Sequence, residues 1–152
     1  MVRSLEYKNT TIEEMQDLDI TSDDMKIGGV LDRETSISTF TLMLLSNNRF
    51  ARTLYHCGQP LCVVMYVDGV GSIYKLRQSN PVTLVKNIDS VVMTVMKLLL
   101  KYKVKHIEIE YSNKNKFTQK AMSYMDVLAV KNGFRTYYKQ NKNTIEYKLE
   151  RD

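Results

Sequence analysis

The order of predicted elements in the second half of this 152-residue chain constrains its fold more than any other feature. An amphipathic helix over residues 84–103 follows one strand and leads into another over residues 105–111. A second helix then ends at Asn132-Gly133-Phe134, and a hairpin over residues 134–138 and 144–149 closes the chain. A helix that joins two strands makes them parallel or nearly so, with a right-handed crossover. The pattern predicts a mixed α/β (α+β) fold.

The first half of the chain predicts short helices and an antiparallel meander. A threonine followed three residues later by glutamate predicts a short helix near Thr11, and a hydroxyl and carboxylate run predicts another from Thr21. Alternation and turn residues predict strands. The remaining predicted elements are a helix over residues 35–45, strands over residues 5–8, 50–57, 61–67 and 72–76, and turns at Gly58-Gln59-Pro60 and Asp68-Gly69. We therefore expect a mostly antiparallel sheet with helices on both faces and one central crossover helix.

Length and composition predict one domain, residues 1–152, with a core that needs no metal or disulfide. No apolar run approaches the roughly 20 residues that span a bilayer, so a soluble intracellular protein without a membrane partner is expected. Cys57 and Cys62 flank the first turn. We expect them to be reduced packing residues, although a disulfide across that turn is conceivable.

Charge is distributed unevenly along the chain. Residues 1–34 carry nine acidic against four basic residues, whereas residues 97–152 carry thirteen basic against six acidic residues. Tyrosines are interleaved with the basic residues of this C-terminal region, and lysine with tyrosine can bind phosphates and stack on bases. A nucleic-acid partner is one interpretation. The alternative is that the lysines solvate exposed faces and the tyrosines fill strands.

The whole chain resembles a divergent member of the GNAT acyltransferase superfamily in the order of its elements. Within that superfamily it is similar to small GNAT-like proteins of short-tailed bacteriophages, some of them virion or assembly proteins. The likeness depends on order and spacing rather than on one motif. The residues that carry it are Leu18-Asp19-Ile20 with Asp23-Asp24, Gly58-Gln59-Pro60-Leu61, Gly71-Ser72-Ile73-Tyr74-Lys75-Leu76 and Asn132-Gly133-Phe134.

The resemblance implies acetyl-coenzyme A as cofactor, but this sequence departs from the family at both functional elements. The family binds the pyrophosphate of coenzyme A with a glycine-rich turn that begins the crossover helix. The matching residues 76–83 contain no glycine and include Pro81, which lacks an amide donor. Side chains are then the candidate cofactor-binding groups, the alternative being a polar loop and helix cap. These candidates are Arg77, Gln78, Thr83 and Lys86.

The family's general acid is a tyrosine four residues before the glycine of Gly-Phe, where this chain has Ala129. Tyr124 does not match that position, so no catalytic residue is assigned. Possible bases are Glu108, Glu110 and His106 on the returning strand and His56 at the first hairpin, with exposed strand residues as the alternative. Cys57 and His56 should point to opposite faces, and no Cys/His spacing suits a metal.

Three functions remain open from the sequence, and the chain's status as an enzyme is undecided. The first is a non-catalytic GNAT-fold viral protein that binds a viral or host protein in the virion, its assembly or the host cytoplasm, with no cofactor. The second is a coenzyme-A-dependent N-acetyltransferase with a degenerate pyrophosphate loop. The third is a basic nucleic-acid-binding protein. A V-shaped separation of the two parallel strands, with free amides at the helix start, would indicate a cofactor site.

Overall fold

The computed structural model describes residues 2–19, 27–28 and 49–152. Short strands and helices alternate along this part of the chain. The elements are β1 (Glu6–Asn9), α1 (Ile12–Gln16), β2 (Arg49–His56), β3 (Gln59–Val67), β4 (Val70–Lys75), α2 (Pro81–Lys86), α3 (Ile88–Lys101), β5 (His106–Ser112), α4 (Lys116–Lys131), β6 (Arg135–Gln140) and β7 (Thr144–Glu150).

The strands form one seven-stranded sheet in the order β1-β2-β3-β4-β5-β7-β6. Every neighbouring pair is antiparallel except β4 and β5, which are parallel because the α2–α3 crossover returns the chain to the same end of the sheet. The predicted mixed, mostly antiparallel fold is confirmed. The antiparallel meander runs from β2 to β4, and β6 and β7 form the closing hairpin.

Helices cover both faces of the sheet, as predicted. On one face, the apolar sides of α3 and α4 pack on inward-facing residues of β2 to β5 and β7, such as Val64, Ile109 and Leu149. On the other face, Met15 of α1 and Leu18 pack in a smaller cluster with Tyr74 and Leu76. Alternate residues of a strand point to opposite faces, so β4 sends Ile73 to the large cluster and Tyr74 to the small one.

The crossover consists of two helices rather than the single helix predicted over residues 84–103. Asn80 caps α2 by accepting a hydrogen bond from the Val82 amide at 2.8 Å, and Pro81 occupies the first helical position. The break falls at Asn87, whose side-chain amide donates to the Thr83 carbonyl at 2.8 Å and competes with regular helix bonding. Helix α3 then ends at Lys101.

The turns and caps agree with the sequence except at the first hairpin. Its turn is Cys57-Gly58, both with positive φ, so Gln59 and Pro60 already belong to β3 rather than to the predicted turn. Gly133, with φ of 85°, ends α4 as predicted. Thr11 and Glu14 form the predicted capping box of α1. The helices predicted from Thr21 and over residues 35–45 lie outside the described residues.

Two smaller predictions concern the cysteines and the bilayer. Both cysteines are free thiols, but only Cys62 is buried, and Cys57 is exposed in the turn rather than packed in the core. Burial raises the pKa of the Cys62 thiol to about 12, so it is inert as a nucleophile at neutral pH. Within the described part of the chain, every helix is too short or too polar to cross a membrane.

Candidate functional site

Strands β4 and β5 meet at one end and then separate. Their registered pair is Val70 with Glu108, and the Glu108 amide donates to the Gly69 carbonyl at 2.7 Å. Beyond this point β4 continues to Lys75 and β5 to Ser112 with no further registered pair among the described residues. The separation that the sequence left to be tested is therefore present. We call the space between the two strands the β4–β5 gap.

The backbone edge of β4 that faces this gap is already hydrogen-bonded within the chain. The Ile73 amide donates to the Ile27 carbonyl at 2.8 Å, and the Ile27 amide donates back to the Ile73 carbonyl at 3.0 Å. Farther along, the Asp19 amide donates to the Lys75 carbonyl at 2.8 Å. Residues 17–19 and 27–28, which we call the cover residues, thus bind the β4 edge as a short antiparallel partner.

Gly28 lies in the gap itself. A Cβ atom on Gly28 would stand 2.3 Å from the Gly71 carbonyl oxygen of β4 and 3.3 Å from the Ile109 side chain of β5. The backbone also has a φ of 71°, which glycine adopts at little cost. Contact with both strands places Gly28 between β4 and β5.

The loop after β4 has also committed its backbone donors. The Arg77 amide donates to the Asp17 carbonyl at 2.8 Å, and the Gln78 amide donates to the Asp17 carboxylate at 3.2 Å. The Ser79 amide donates to the Leu76 carbonyl, and its hydroxyl donates to the Pro60 carbonyl at 2.8 Å. The amides of residues 77–79 are therefore not free to hold a pyrophosphate. In this arrangement the backbone groups at Ile73, Lys75, Arg77 and Gln78 are occupied by the cover residues.

The four predicted cofactor residues all lie in this region after β4. Arg77 and Gln78 are exposed in the turn, and Thr83 and Lys86 lie one helical turn apart on α2. The Thr83 carbonyl is engaged by Asn87, whereas the Lys86 side chain is exposed. Their location agrees with a role beside the gap, and that role stays a prediction.

Lys75 is a buried cation that the sequence reasoning did not single out. It ends β4 with 7% of its surface exposed, and its ammonium donates to the Leu76 carbonyl at 2.7 Å and the Arg77 carbonyl at 3.5 Å. A buried charge is costly unless its protons are bonded, so these carbonyls partly compensate the loss of water. The available signal was a lysine between Tyr74 and Leu76 at the end of a predicted strand, but the sequence pattern does not show that its side chain is buried.

A tyrosine and aspartate cluster lies where α4 crosses β5, β7 and β6. The Tyr147 hydroxyl donates to the Asp126 carboxylate at 2.7 Å, and the Tyr138 ring lies 4.8 Å from the Tyr147 ring. Burial first, and then Asp126, raise the pKa of Tyr147, Tyr138 and Tyr111. The buried residue at the family's general-acid position is Ala129, whose side chain cannot donate a proton. The sequence missed this cluster because its members are distant in the chain.

The candidate bases fall into two groups. On β5, His106 lies 3.5 Å from the Glu108 carboxylate and 3.3 Å from the Glu150 carboxylate, and Lys148 lies 3.3 Å from Glu108. Glu110 accepts a hydrogen bond from the Thr144 hydroxyl at 2.8 Å. These side chains form an exposed charged surface on β5 and β7, so the structure joins His106 and Glu108, which the sequence did not pair.

The second group is at the first hairpin. The Cys57 sulfur lies 3.8 Å from the His56 ring, so the expectation that these side chains point apart is wrong. The reason is that Cys57 belongs to the turn, with φ of 50°, rather than to the strand. His56 ends β2 and Cys57 begins the turn to β3, at the end of the sheet where β4 also ends. Among the described residues, no three His, Cys, Asp or Glu side chains are arranged to hold a metal ion.

The chain is similar in structure to several solved N-acetyltransferases. The chain superposes on AAC(6')-Ib in complex with paromomycin and acetyl-coenzyme A with a TM-score of 0.62 at 13% identity, covering 97% of this chain and 93% of that one. For the N-acetyltransferase PseH of Campylobacter jejuni in complex with acetyl-coenzyme A, the TM-score is 0.58 at 14% identity, covering 97% and 99%. No protein-family model and no curated protein sequence matches the chain. At these identities the likeness establishes the GNAT fold.

This comparison corrects the first functional hypothesis. A non-catalytic viral protein was expected, because the pyrophosphate loop and general-acid tyrosine are unmatched. Several solved structures that share the fold over nearly the whole chain are instead N-acetyltransferases, some with coenzyme A or acetyl-coenzyme A bound. They favour the enzymatic alternative, and the expectation of a protein without a cofactor is not confirmed. Nothing in the comparison bears on the likeness to bacteriophage proteins.

Proposed function

We propose that this protein is a coenzyme-A-dependent N-acyltransferase whose acyl donor enters the β4–β5 gap. The observation that carries the proposal is the separation of two parallel strands after a single registered pair, Val70 with Glu108. The shared fold with acetyltransferases supports it. When bound, an acyl-coenzyme A would supply an activated acyl group for transfer to an amine.

The residues proposed to hold the donor follow from their position beside the gap. Arg77 is exposed in the turn after β4, and Lys86 is exposed on the last turn of α2. Guanidinium and ammonium groups pair with phosphate by charge-assisted hydrogen bonds, which need no glycine in the backbone. Side-chain cations would thus replace the backbone donors of the usual loop. Gln78 and Thr83 add neutral donors on the same segment.

No step of acyl transfer is assigned to a residue, because the cover residues hold the β4 edge in the described arrangement. Tyr147 is committed to Asp126, and Ala129 cannot donate a proton. Burial and Asp126 keep the Tyr111 phenol protonated by raising its pKa, as a proton donor requires, but its side chain packs in the large cluster on the α4 side of the sheet. The chain's own contribution is then binding and orientation.

Titration calorimetry with coenzyme A tests the proposal. We expect micromolar binding to the full chain and a roughly tenfold loss of affinity in Arg77→Ala or Lys86→Ala, since a charge-assisted hydrogen bond contributes about 1.5–3 kcal/mol. Lys131→Ala is the matched control, because Lys131 is likewise exposed on the last turn of a helix, α4. Absence of heat at millimolar coenzyme A, both in the parent and in variants that weaken the contacts of residues 17–19 at the β4 edge, would remove the proposal. Release of free thiol from acetyl-coenzyme A in the presence of amines would then measure turnover.

A further inference from the structure

We propose that the cover residues are an autoinhibitory segment: they occupy the β4 edge of the gap, and the acyl donor binds only when they leave it. This inference rests on the proposed function. Its basis is that the backbone groups facing the gap already have partners inside the chain, at Ile73, Lys75, Arg77 and Gln78.

The contact is a set of directed hydrogen bonds rather than loose packing. Two bonds join Ile27 to Ile73, one joins the Asp19 amide to Lys75, and two end on Asp17. The bonds to Ile73 and Lys75 lie on the β4 edge opposite β3, because β4 alternates its backbone groups between the two sides. An extended ligand that used these same groups would have to replace each of these bonds.

The side chains reinforce the backbone contact. Ile27 is 1% exposed and joins the large core cluster, and Leu18 is 2% exposed in the small one. The cover residues are therefore anchored on both faces of the sheet at once. Beside the Ile27 anchor, Gly28 fits against the Gly71 carbonyl where no Cβ could stand.

The negative charge of Asp17 makes the cover residues compete with anions for the loop after β4. The Asp17 carboxylate accepts a hydrogen bond from the Gln78 amide at 3.2 Å. Gln78 belongs to the loop whose side chains are proposed to hold phosphate. A pyrophosphate at this loop would meet a like charge and would find the amide taken. Release of Asp17 removes the repulsion and frees two donors, so its departure and anion binding are coupled.

Coupling of this kind has a defined effect on affinity. Only molecules whose cover residues have left the β4 edge can bind coenzyme A. When they are a fraction of the population, the apparent dissociation constant of coenzyme A rises by the inverse of that fraction. Each hydrogen bond that is removed from the covered state raises the competent fraction by roughly two- to tenfold. Weakening the cover should therefore tighten binding of coenzyme A, whereas loss of an ordinary structural contact would not.

Two matched pairs of variants test this in the full chain, with coenzyme A as the probe. Asp19→Pro removes the amide that donates to Lys75, and Asp19→Ala removes the same side chain but keeps that amide. Asp17→Ala removes the acceptor of the Gln78 amide, and Glu13→Ala removes an exposed charge one helical turn earlier. We expect coenzyme A to bind roughly three- to tenfold tighter to the first member of each pair than to the second.

The outcomes separate the two proposals. Binding of equal strength within both pairs would overturn the autoinhibitory segment and leave the acyltransferase proposal standing. No binding by the parent and all four variants would overturn both. If Asp19→Pro fails to fold, as judged by circular dichroism, the Asp17 and Glu13 pair decides alone.

Amide hydrogen exchange gives a second readout that does not depend on the variants. Coenzyme A should accelerate exchange of the Asp19 and Ile27 amides of the parent protein, since both lose their β4 acceptors on release. Amides of β3, such as Val63, should keep their protection. Slower exchange at Asp19 and Ile27 with coenzyme A bound would contradict displacement.

Discussion

Glu14 fixes the short helix α1 to the sheet through both carboxylate oxygens. One oxygen accepts hydrogen bonds from the Thr11 amide at 2.9 Å and the Thr53 hydroxyl at 3.0 Å, and the other accepts one from the Tyr55 hydroxyl at 2.8 Å. Only 8% of Glu14 is exposed. A five-residue helix is too short to be stable by itself, so these bonds, together with Met15, hold α1 in place.

Replacement of Glu14 by alanine should destabilise the protein by roughly 2–3 kcal/mol. Two hydroxyls and one amide would lose their acceptor, and a buried unsatisfied donor costs about 1–3 kcal/mol. Urea unfolding followed by circular dichroism measures the change. Glu13→Ala is the control, because Glu13 is exposed on the same helix and should change stability by less than about 0.5 kcal/mol. Equal effects of the two variants would mean that the hydrogen bonds of the Glu14 carboxylate make no net contribution to the free energy of unfolding.

At the residue scale, local signals were predictable from the sequence and distant partnerships were not. The Thr11 and Glu14 capping box and the Gly133 cap each depend on residues close together in the chain, so spacing alone predicts them. The bonds from Thr53 and Tyr55 to Glu14 join residues about forty positions apart. The bond between Asp17 and Gln78 in the candidate site spans a still longer separation. A single sequence does not show which residues far apart in the chain will form hydrogen bonds with each other.

At the scale of elements, Gly28 and Gly71 show how closely the cover residues fit between β4 and β5. A Cβ on Gly71 would lie 2.5 Å from the Ile107 side chain, and one on Gly28 would lie 2.3 Å from the Gly71 carbonyl. Side-chain atoms can move by small rotations, whereas the Gly71 carbonyl belongs to a paired strand. The contact at Gly28 is therefore the less adaptable of the two.

Gly28→Ala should expel the cover residues from the β4 edge. The added methyl group meets a backbone oxygen, so the Ile27 and Ile73 bonds cannot both be kept. We expect exchange of the Ile73 amide to increase at least about tenfold, as measured by hydrogen exchange with mass or magnetic-resonance detection. Gly133→Ala provides the control: its φ of 85° is similarly strained, but its Cβ would meet nothing within 4 Å. It should lose about 1 kcal/mol of stability and leave Ile73 protected.

Most elements followed from periodicity and turn residues, and the errors have identifiable causes. The helix break at Asn87 depends on a side-chain bond to the Thr83 carbonyl, which the apolar pattern of residues 84–103 conceals. The first hairpin turned one residue earlier than predicted, because Cys57 adopts a positive φ that sequence propensity disfavours for cysteine. The separation of β4 from β5 could be posed as a question but not answered, since it depends on long-range register.

At the scale of the whole molecule, the basic residues of the C-terminal region affect the charge of the surface rather than the fold. Basic residues of the C-terminal region lie among acids on the exposed side of β5, β7 and β6, as in the Lys148 and Glu108 pair and the Arg135 and Asp152 pair. This mixing leaves a smaller basic surface than the thirteen basic residues of 97–152 alone would suggest. Nucleic-acid binding stays a prediction, and a steep dependence of affinity on salt would be its signature.

The two faces of the sheet hold several groups that must stay protonated while the protein is folded. Burial raises the pKa of Tyr74 and of Cys62 to about 12 from ordinary values of 10.0 and 9.0. Burial, followed by the Glu14 carboxylate, raises the pKa of Tyr55 to about 12. Between roughly pH 9 and pH 12 the unfolded chain therefore binds fewer protons than the folded one. Stability is fully present below this window and falls as pH rises through it.

Tyr74→Phe should lessen this alkaline destabilisation. The Tyr74 hydroxyl is fully buried without a hydrogen-bond partner in the described part of the chain, and burial raises its pKa. Urea unfolding at about pH 8 should show a variant as stable as the parent or slightly more so, since no bond is lost. Between about pH 8 and pH 11 the variant should lose about 1 kcal/mol less than the parent, because one titrating phenol is gone. Tyr137→Phe, which removes a phenol that is 47% exposed, is the matched control. An undiminished loss in Tyr74→Phe would mean that Tyr74 ionises alike in the folded and unfolded chains.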